Sequence, residues 1–244
     1  MQLERKYISE IKIDKPIETE SYITQIPAIK YLLNNHSLKF NKNITMFIGE
    51  NGTGKSTLME AIAAAIRLNP EGGSGQHSFS TEDTHSDLHR AMTVIREDFP
   101  RDKYFLRAES MYNVASYIRE AHEDDPYHEG KWIDYHLMSH GESFLTTAKK
   151  FYGKGLYLMD EPEAALSPSR LLELMCIMND LLNNESQFII STHSPILMAF
   201  PDAQILQLTA NGIEEVNYKE TEHYQITTSF LENPDRMLKI MFEK

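Results

Sequence analysis

Residues 7–13 (Tyr-Ile-Ser-Glu-Ile-Lys-Ile) alternate between apolar and polar, and this period of two predicts an edge strand. Residues 38–40 and 44–48 predict two further strands, the second running straight into Gly49. An Ala- and Ile-rich helix follows from about 55 to 68. Asn69-Pro-Glu-Gly-Gly-Ser-Gly75 ends it and opens a polar segment to about residue 87. Residues 88–97 read as helical and Tyr104-Phe-Leu-Arg107 as a strand. The stretch 111–138 is mixed and predicts short helices, with an acidic turn at Glu123-Asp-Asp-Pro126.

The second half carries a stronger pattern. Leu156-Tyr-Leu-Met159 is a continuous apolar run, as in a strand covered on both faces. A helix is predicted over 169–183, and Gln187-Phe-Ile-Ile-Ser191 is the next buried strand. Residues 203–208 and 213–218 predict a hairpin with Asn211-Gly212 at its turn. A C-terminal helical segment is interrupted at Asn233-Pro234. Strands alternating with helices indicate an α/β sandwich around a largely parallel sheet.

Composition narrows the class. The 244 residues, 41% hydrophobic, are enough for one substantial core with a small attached lobe. No stretch approaches the roughly 20 apolar residues that span a bilayer. The most apolar helical segment, 171–182, is broken by Glu173, Asn179 and Asp180. The first residues lack the apolar core of a signal peptide, so a cytoplasmic protein without membrane insertion is expected. Cys176 is the single cysteine and cannot form an internal disulfide; among Leu172, Met175 and Ile177 it is expected to be buried. A net charge of −12 lowers the expectation of a nucleic-acid partner without excluding a local basic groove.

Chemistry enters at Gly49, Glu50, Asn51, Gly52, Thr53, Gly54, Lys55, Ser56 and Thr57, which match G-x-x-x-x-G-K-[ST] between a strand and a helix. The glycines let backbone N–H groups turn inward around a phosphate, and the helix adds its positive N-terminal end. Lys55 would reach the β- and γ-phosphates, and the Ser56 hydroxyl would hold Mg²⁺. The apolar strand ending in Asp160 and Glu161 would deliver two acids to the same sheet edge. Asp160 would orient Mg²⁺, and Glu161 would polarise an attacking water.

With these residues in place the chain resembles the ABC ATPase superfamily, and further landmarks come in that family's order. Met138-Ser-His-Gly-Glu142, with Ser139 lying 21 residues before Asp160, is similar to the signature motif. Ala164-Ala-Leu-Ser167 looks like the D-loop, and Ser191-Thr-His193-Ser like the switch-histidine segment. The resemblance implies a P-loop fold with a largely parallel sheet, an antiparallel β portion and a helical lobe at about 110–150. It implies a single ATPase domain over 1–244, with Ser139, Gly141 and Glu142 contacting ATP held by a partner chain. It also implies catalytic roles for Glu161 and His193, ATP and Mg²⁺ as cofactors, and an ATP-dependent homodimer driving an unidentified effector. Two positions depart from the pattern: His140 replaces a signature glycine, and Glu109 stands at the Q-loop glutamine's place as a candidate Mg²⁺ ligand.

The branch is suggested by Asp160-Glu-Pro-Glu163 with Leu166-Ser-Pro168, which resembles the non-transport ATPases rather than transporter subunits. Ile26-Pro-Ala-Ile-Lys-Tyr31 and Phe105-Leu-Arg-Ala-Glu-Ser110 resemble small stand-alone predicted ATPases. No heptads provide a coiled-coil arm. A transporter subunit, a DNA-acting clamp and a slowly turning regulator remain alternatives. Tyr22 or Tyr31 could stack on adenine, although each is more often a core residue. The pairs His85/His89 and His136/His140 have helix-face spacing, but no further ligand follows at a familiar metal spacing.

Overall fold

The structure, a computed structural model, describes residues 6–17, 22–35, 37–74, 88–123 and 135–243. The predicted polar segment to residue 87, with His85, lies largely outside these residues, as does most of the acidic turn.

The five residues of β3 (Ile44–Ile48) are all buried, because β3 lies inside a six-stranded sheet. The order is β5 (Asp102–Arg107), β6 (Gly155–Asp160), β7 (Gln187–Ser191), β3, β8 (Gln204–Thr209) and β9 (Gly212–Glu215). Every pairing is parallel except β8–β9. Parallel pairing brings the C-terminal ends of β3, β5, β6 and β7 to one edge, where Arg107, Asp160 and Ser191 are in register.

Side chains alternate between two cores. Phe47, Leu158 and Ile189 face one that also holds Leu58 and Ile62 of α2 (Lys55–Ala65). Met46, Met159 and Ile190 face the other. That second core is closed by α5 (His140–Ala148), α6 (Pro168–Asn183) and α7 (Pro195–Met198), through Phe144, Leu174 and Leu197. Cover on both faces explains the unbroken apolar runs.

A separate antiparallel sheet has the order β2 (Ser37–Lys39), β1 (Ile8–Ile13), β4 (Met92–Arg96). Two expectations are corrected here. The strand predicted at the edge, β1, is central, since both of its neighbours pair with it. Residues 88–97 are helical only in α3 (Leu88–Ala91); the β-branched Thr93, Val94 and Ile95 then extend as β4. Pairing with β1, which is distant in sequence, decides that strand.

Two buried glutamines join the sheets. Gln187 Oε1 accepts from the backbone N–H groups of Tyr7 and Ile8 at 2.8 and 2.9 Å, and its Nε2 donates to the Ile8 carbonyl at 2.8 Å. Gln204 Oε1 accepts from Asn41 N–H, and its Nε2 donates to Glu215.

Three smaller predictions also shift. On α6 the buried positions are Leu171, Leu174, Met178 and Leu181, a stripe that leaves Cys176 exposed on another face. The helix begun at Lys55 ends at Ala65, with Arg67 left-handed at φ 62°. The hairpin turn centres on Ala210 and Asn211, with Gly212 already paired to Thr209.

Before the signature, α4 (Met111–Glu123) is one helix of 13 residues where shorter pieces were expected. The chain ends in α8 (Glu222–Glu232) and α9 (Pro234–Phe242), and Asn233 caps α9 by accepting from Arg236 N–H. Among the described residues no helix is long and apolar enough to cross a membrane.

Candidate active site

The loop between β3 and α2 takes three left-handed glycines, Gly49, Gly52 and Gly54, at φ 140°, 82° and 103°. Gly54 is required twice: for its φ, and because a Cβ there would lie 2.4 Å from Ile26 Cγ2. No side chain caps the first turn of α2, so its backbone N–H groups are available to an anion. The Lys55 side chain folds back into the loop and donates to the carbonyls of Gly49 (2.7 Å) and Glu50 (3.0 Å). Thr53 Oγ1 also donates to the Glu50 carbonyl, at 2.8 Å. Burial lowers the Lys55 pKa, against the pull of the nearby Glu161, Asp160 and Glu163 carboxylates.

Those carboxylates come from the end of β6. Asp160 is 4% exposed, and burial pushes its pKa up to about 6 against the Arg107 guanidinium. The Ser191 and Ser56 hydroxyls beside it favour the charged form, so the two residues expected to share a metal are adjacent. Glu161 is left-handed at φ 47°, a conformation uncommon for a residue with a side chain. Its N–H donates to the Ser191 carbonyl, and its Oε1 lies 3.6 Å from His193 Nε2.

His193 follows β7 and is held from two sides. Its backbone N–H donates to Glu163 Oε1, and Thr192 Oγ1 donates to Glu163 Oε2 at 2.8 Å. Burial raises the Glu163 pKa, and these hydrogen bonds oppose the rise. On the ring, His193 Nδ1 lies 3.3 Å from Nε2 of His223, in the first turn of α8. Burial lowers the pKa of both histidines; Lys55 adds to the effect at His193. His193 Nε2 is buried, with no hydrogen-bond partner among the described residues.

The signature segment begins α5. Ser139 caps it through a reciprocal box: its Oγ accepts from Glu142 N–H, and its N–H donates to Glu142 Oε2. The Ser139 N–H and hydroxyl, both donating to Glu142 Oε2, lower the Glu142 pKa. Arg170 of α6 lies 3.6 Å from the same carboxylate. Gly141 is needed for close approach, since a Cβ there would lie 2.8 Å from the Ala165 carbonyl. Ser139, His140 and Glu142 are exposed. Among the described residues, none of the hydrogen bonds or ion pairs of Ser139 and Glu142 reaches the 49–57 loop.

Comparison with known proteins finds two matching families. A family described as AAA domain matches residues 25–129, which include the 49–57 loop. A second AAA-domain family, whose description names the AbiEii toxin and the Type IV TA system, matches 124–199 and so takes in the signature segment, the strand-end acids and His193. The two AAA-domain models thus match adjoining parts of the chain, in line with its resemblance to P-loop ATPases. No curated protein matched it. Solved structures similar to it include cbiO1 from Clostridium perfringens, part of the ABC transporter complex cbiONQ. That similarity is 16% identity over 97% of this chain and 99% of the other, at a TM-score of 0.48. Another is a metal-chelate type ABC transporter in an inward-facing conformation, 14% identical over 91% and 88% of the two chains, TM-score 0.46.

Against the expectation from the sequence resemblance, Glu109 is exposed. Its side chain is 77% exposed and meets Arg107 Nη2 at 3.4 Å. Arg107 instead lies beside Asp160, and neither Arg107 nor His223 was singled out from the sequence. Arg107 ends a strand that had been recognised, but its pairing partner lies on another strand. His223 lies 30 residues from His193 in a segment with no motif. Glu163 was visible only as a mark of the branch. Tyr22 is exposed, and Tyr31 packs at the edge of the first core. Among the described residues no group of three or more His, Cys, Asp or Glu side chains could hold a metal ion.

Proposed function

We propose that the chain is an ATPase acting as a nucleotide-driven switch, with each site completed by a second copy. The observation that carries this reading is the convergence of Lys55, Asp160, Glu161, Glu163 and His193 on one glycine-rich loop. The uncapped α2 terminus and the buried ammonium suit a polyphosphate. Lys55 would leave its two carbonyl acceptors for the β- and γ-phosphates. Asp160 and Ser56 suit a hydrated divalent cation, which when bound neutralises charge between those phosphates.

Glu161 would accept a proton from water as its oxygen attacks the γ-phosphorus. The bond from that phosphorus to the bridging oxygen breaks, and ADP leaves with the oxygen. His193 Nε2, beside Glu161, would donate to the transferred phosphoryl group. The product would be ADP and phosphate, with ATP and Mg²⁺ as the working pair.

Sharing of the site is supported by the exposed Ser139–Glu142 box at the N-terminus of α5, whose hydrogen bonds and ion pairs among the described residues do not reach its own loop. Two-fold docking would set that terminus against the γ-phosphate on the partner. The Asp160-Glu-Pro-Glu163 form favours a stand-alone switch acting on an effector protein over a transporter subunit.

The test mixes two inactive variants, Lys55→Ala and Ser139→Arg. A mixed dimer has one site with both lesions and one with neither, so partial ATPase activity should return. No recovery, in a heterodimer shown to form, would overturn independent shared sites.

A further inference from the structure

We infer that His223 is a positioning residue for His193, selecting the ring tautomer that keeps His193 Nε2–H turned toward Glu161; the inference rests on the ATPase reading above. A neutral imidazole has one N–H donor and one lone pair. The approach of His193 Nδ1 to His223 Nε2, 3.3 Å, therefore has two arrangements, according to which ring donates. The other nitrogen of His193 decides between them. Its Nε2 is buried, and Glu161 Oε1, an acceptor when ionised, lies 3.6 Å from it. If Nε2 carried the lone pair, it would face a carboxylate and the two would repel. If Nε2 carries the proton, attraction replaces repulsion, and Nδ1 must then accept from His223 Nε2–H.

Burial lowers the pKa of both rings, in keeping with a neutral pair. The backbone around the pair is anchored on each side. Glu163 accepts the His193 N–H. Thr221, fully buried, caps α8 by accepting from Tyr224 N–H and donates its own hydroxyl proton to the Tyr218 carbonyl. Helix α8 also packs against α7, which begins two residues after His193. The two histidines line one cavity of about 320 Å³ together with Gly49, Glu50 and Thr53 of the phosphate loop. Helix α8 thus contributes a side chain to a cavity shared with the phosphate loop.

The test reads the tautomer directly by ¹⁵N NMR of the His193 ring in nucleotide-free protein, alongside steady-state ATPase assays. Wild type should show a protonated Nε2 and an unprotonated Nδ1. His223→Ala should lose that bias and lower kcat roughly 10-fold or more with little change in KM, because the wrong tautomer places a lone pair where a donor is needed. His223→Gln, whose amide N–H can still donate to Nδ1, should restore the tautomer and most of the rate. A protonated Nδ1 in wild type, or His223→Gln as impaired as His223→Ala, would overturn the proposal. If wild type shows the expected tautomer but hydrolyses no ATP, the ATPase reading fails while the pairing stands.

Discussion

Arg107 Nε lies 3.4 Å from Asp160 Oδ2, and the two residues are register partners at the ends of β5 and β6. The same guanidinium meets Glu60 of α2 at 2.7 Å and Glu109 at 3.4 Å. It supplies positive charge beside an acid that burial would otherwise leave poorly stabilised.

Arg107→Leu should therefore destabilise the nucleotide-free chain by about 3 kcal/mol, the usual scale for removing one partner of a buried pair. Magnesium with a non-hydrolysable ATP analogue should shrink the deficit, because a cation then faces Asp160 again. Melting temperatures of wild type and variant, in chelator and with the analogue, check this. An equal deficit in both conditions would contradict it.

Lys55→Ala removes the point charge buried in the loop and should weaken ATP binding roughly 10-fold to 100-fold. Calorimetric titration of the folded variant measures it. Unchanged affinity would remove the 49–57 loop from the site.

Glu161→Gln keeps the shape of the side chain and loses the base. Turnover should fall by roughly 10²-fold or more, while ATP stays bound. Light scattering with ATP and Mg²⁺ should show more dimer than in wild type. Wild-type turnover in the variant would place the base elsewhere.

Glu163→Ala would strand the buried His193 N–H and Thr192 hydroxyl, at a cost of about 1–3 kcal/mol. Because His193 then loses its backbone anchor, kcat should drop more than KM changes. Urea unfolding and steady-state kinetics together test the claim; full kcat at reduced stability would leave Glu163 a purely structural role.

Gln187→Leu would unpair the N–H groups of Tyr7 and Ile8 at the junction of the two sheets. Unfolding free energy should fall by about 2–4 kcal/mol, while the nucleotide loop, on a different strand, keeps its affinity. A neutral substitution would mean that water replaces the lost acceptor.

The sequence by itself determined the segments whose physics is local. The glycine spacing at 49, 52 and 54 suits positive φ whatever surrounds it, and the run 156–159 is apolar on both faces whichever strands flank it. The Ser139–Glu142 box, too, closes within four consecutive residues. Only the tertiary structure decided what depends on partners distant along the chain. Residues 92–96 extend because β1 offers them a ladder, and Cys176 is exposed because α6 turns another stripe inward. Glu109 is exposed and pairs with Arg107, while Arg107 meets Asp160 through parallel pairing across 53 residues of sequence. His223 reaches His193 only because α8 packs back onto α7, and no local pattern encodes a contact made by folding the chain over itself.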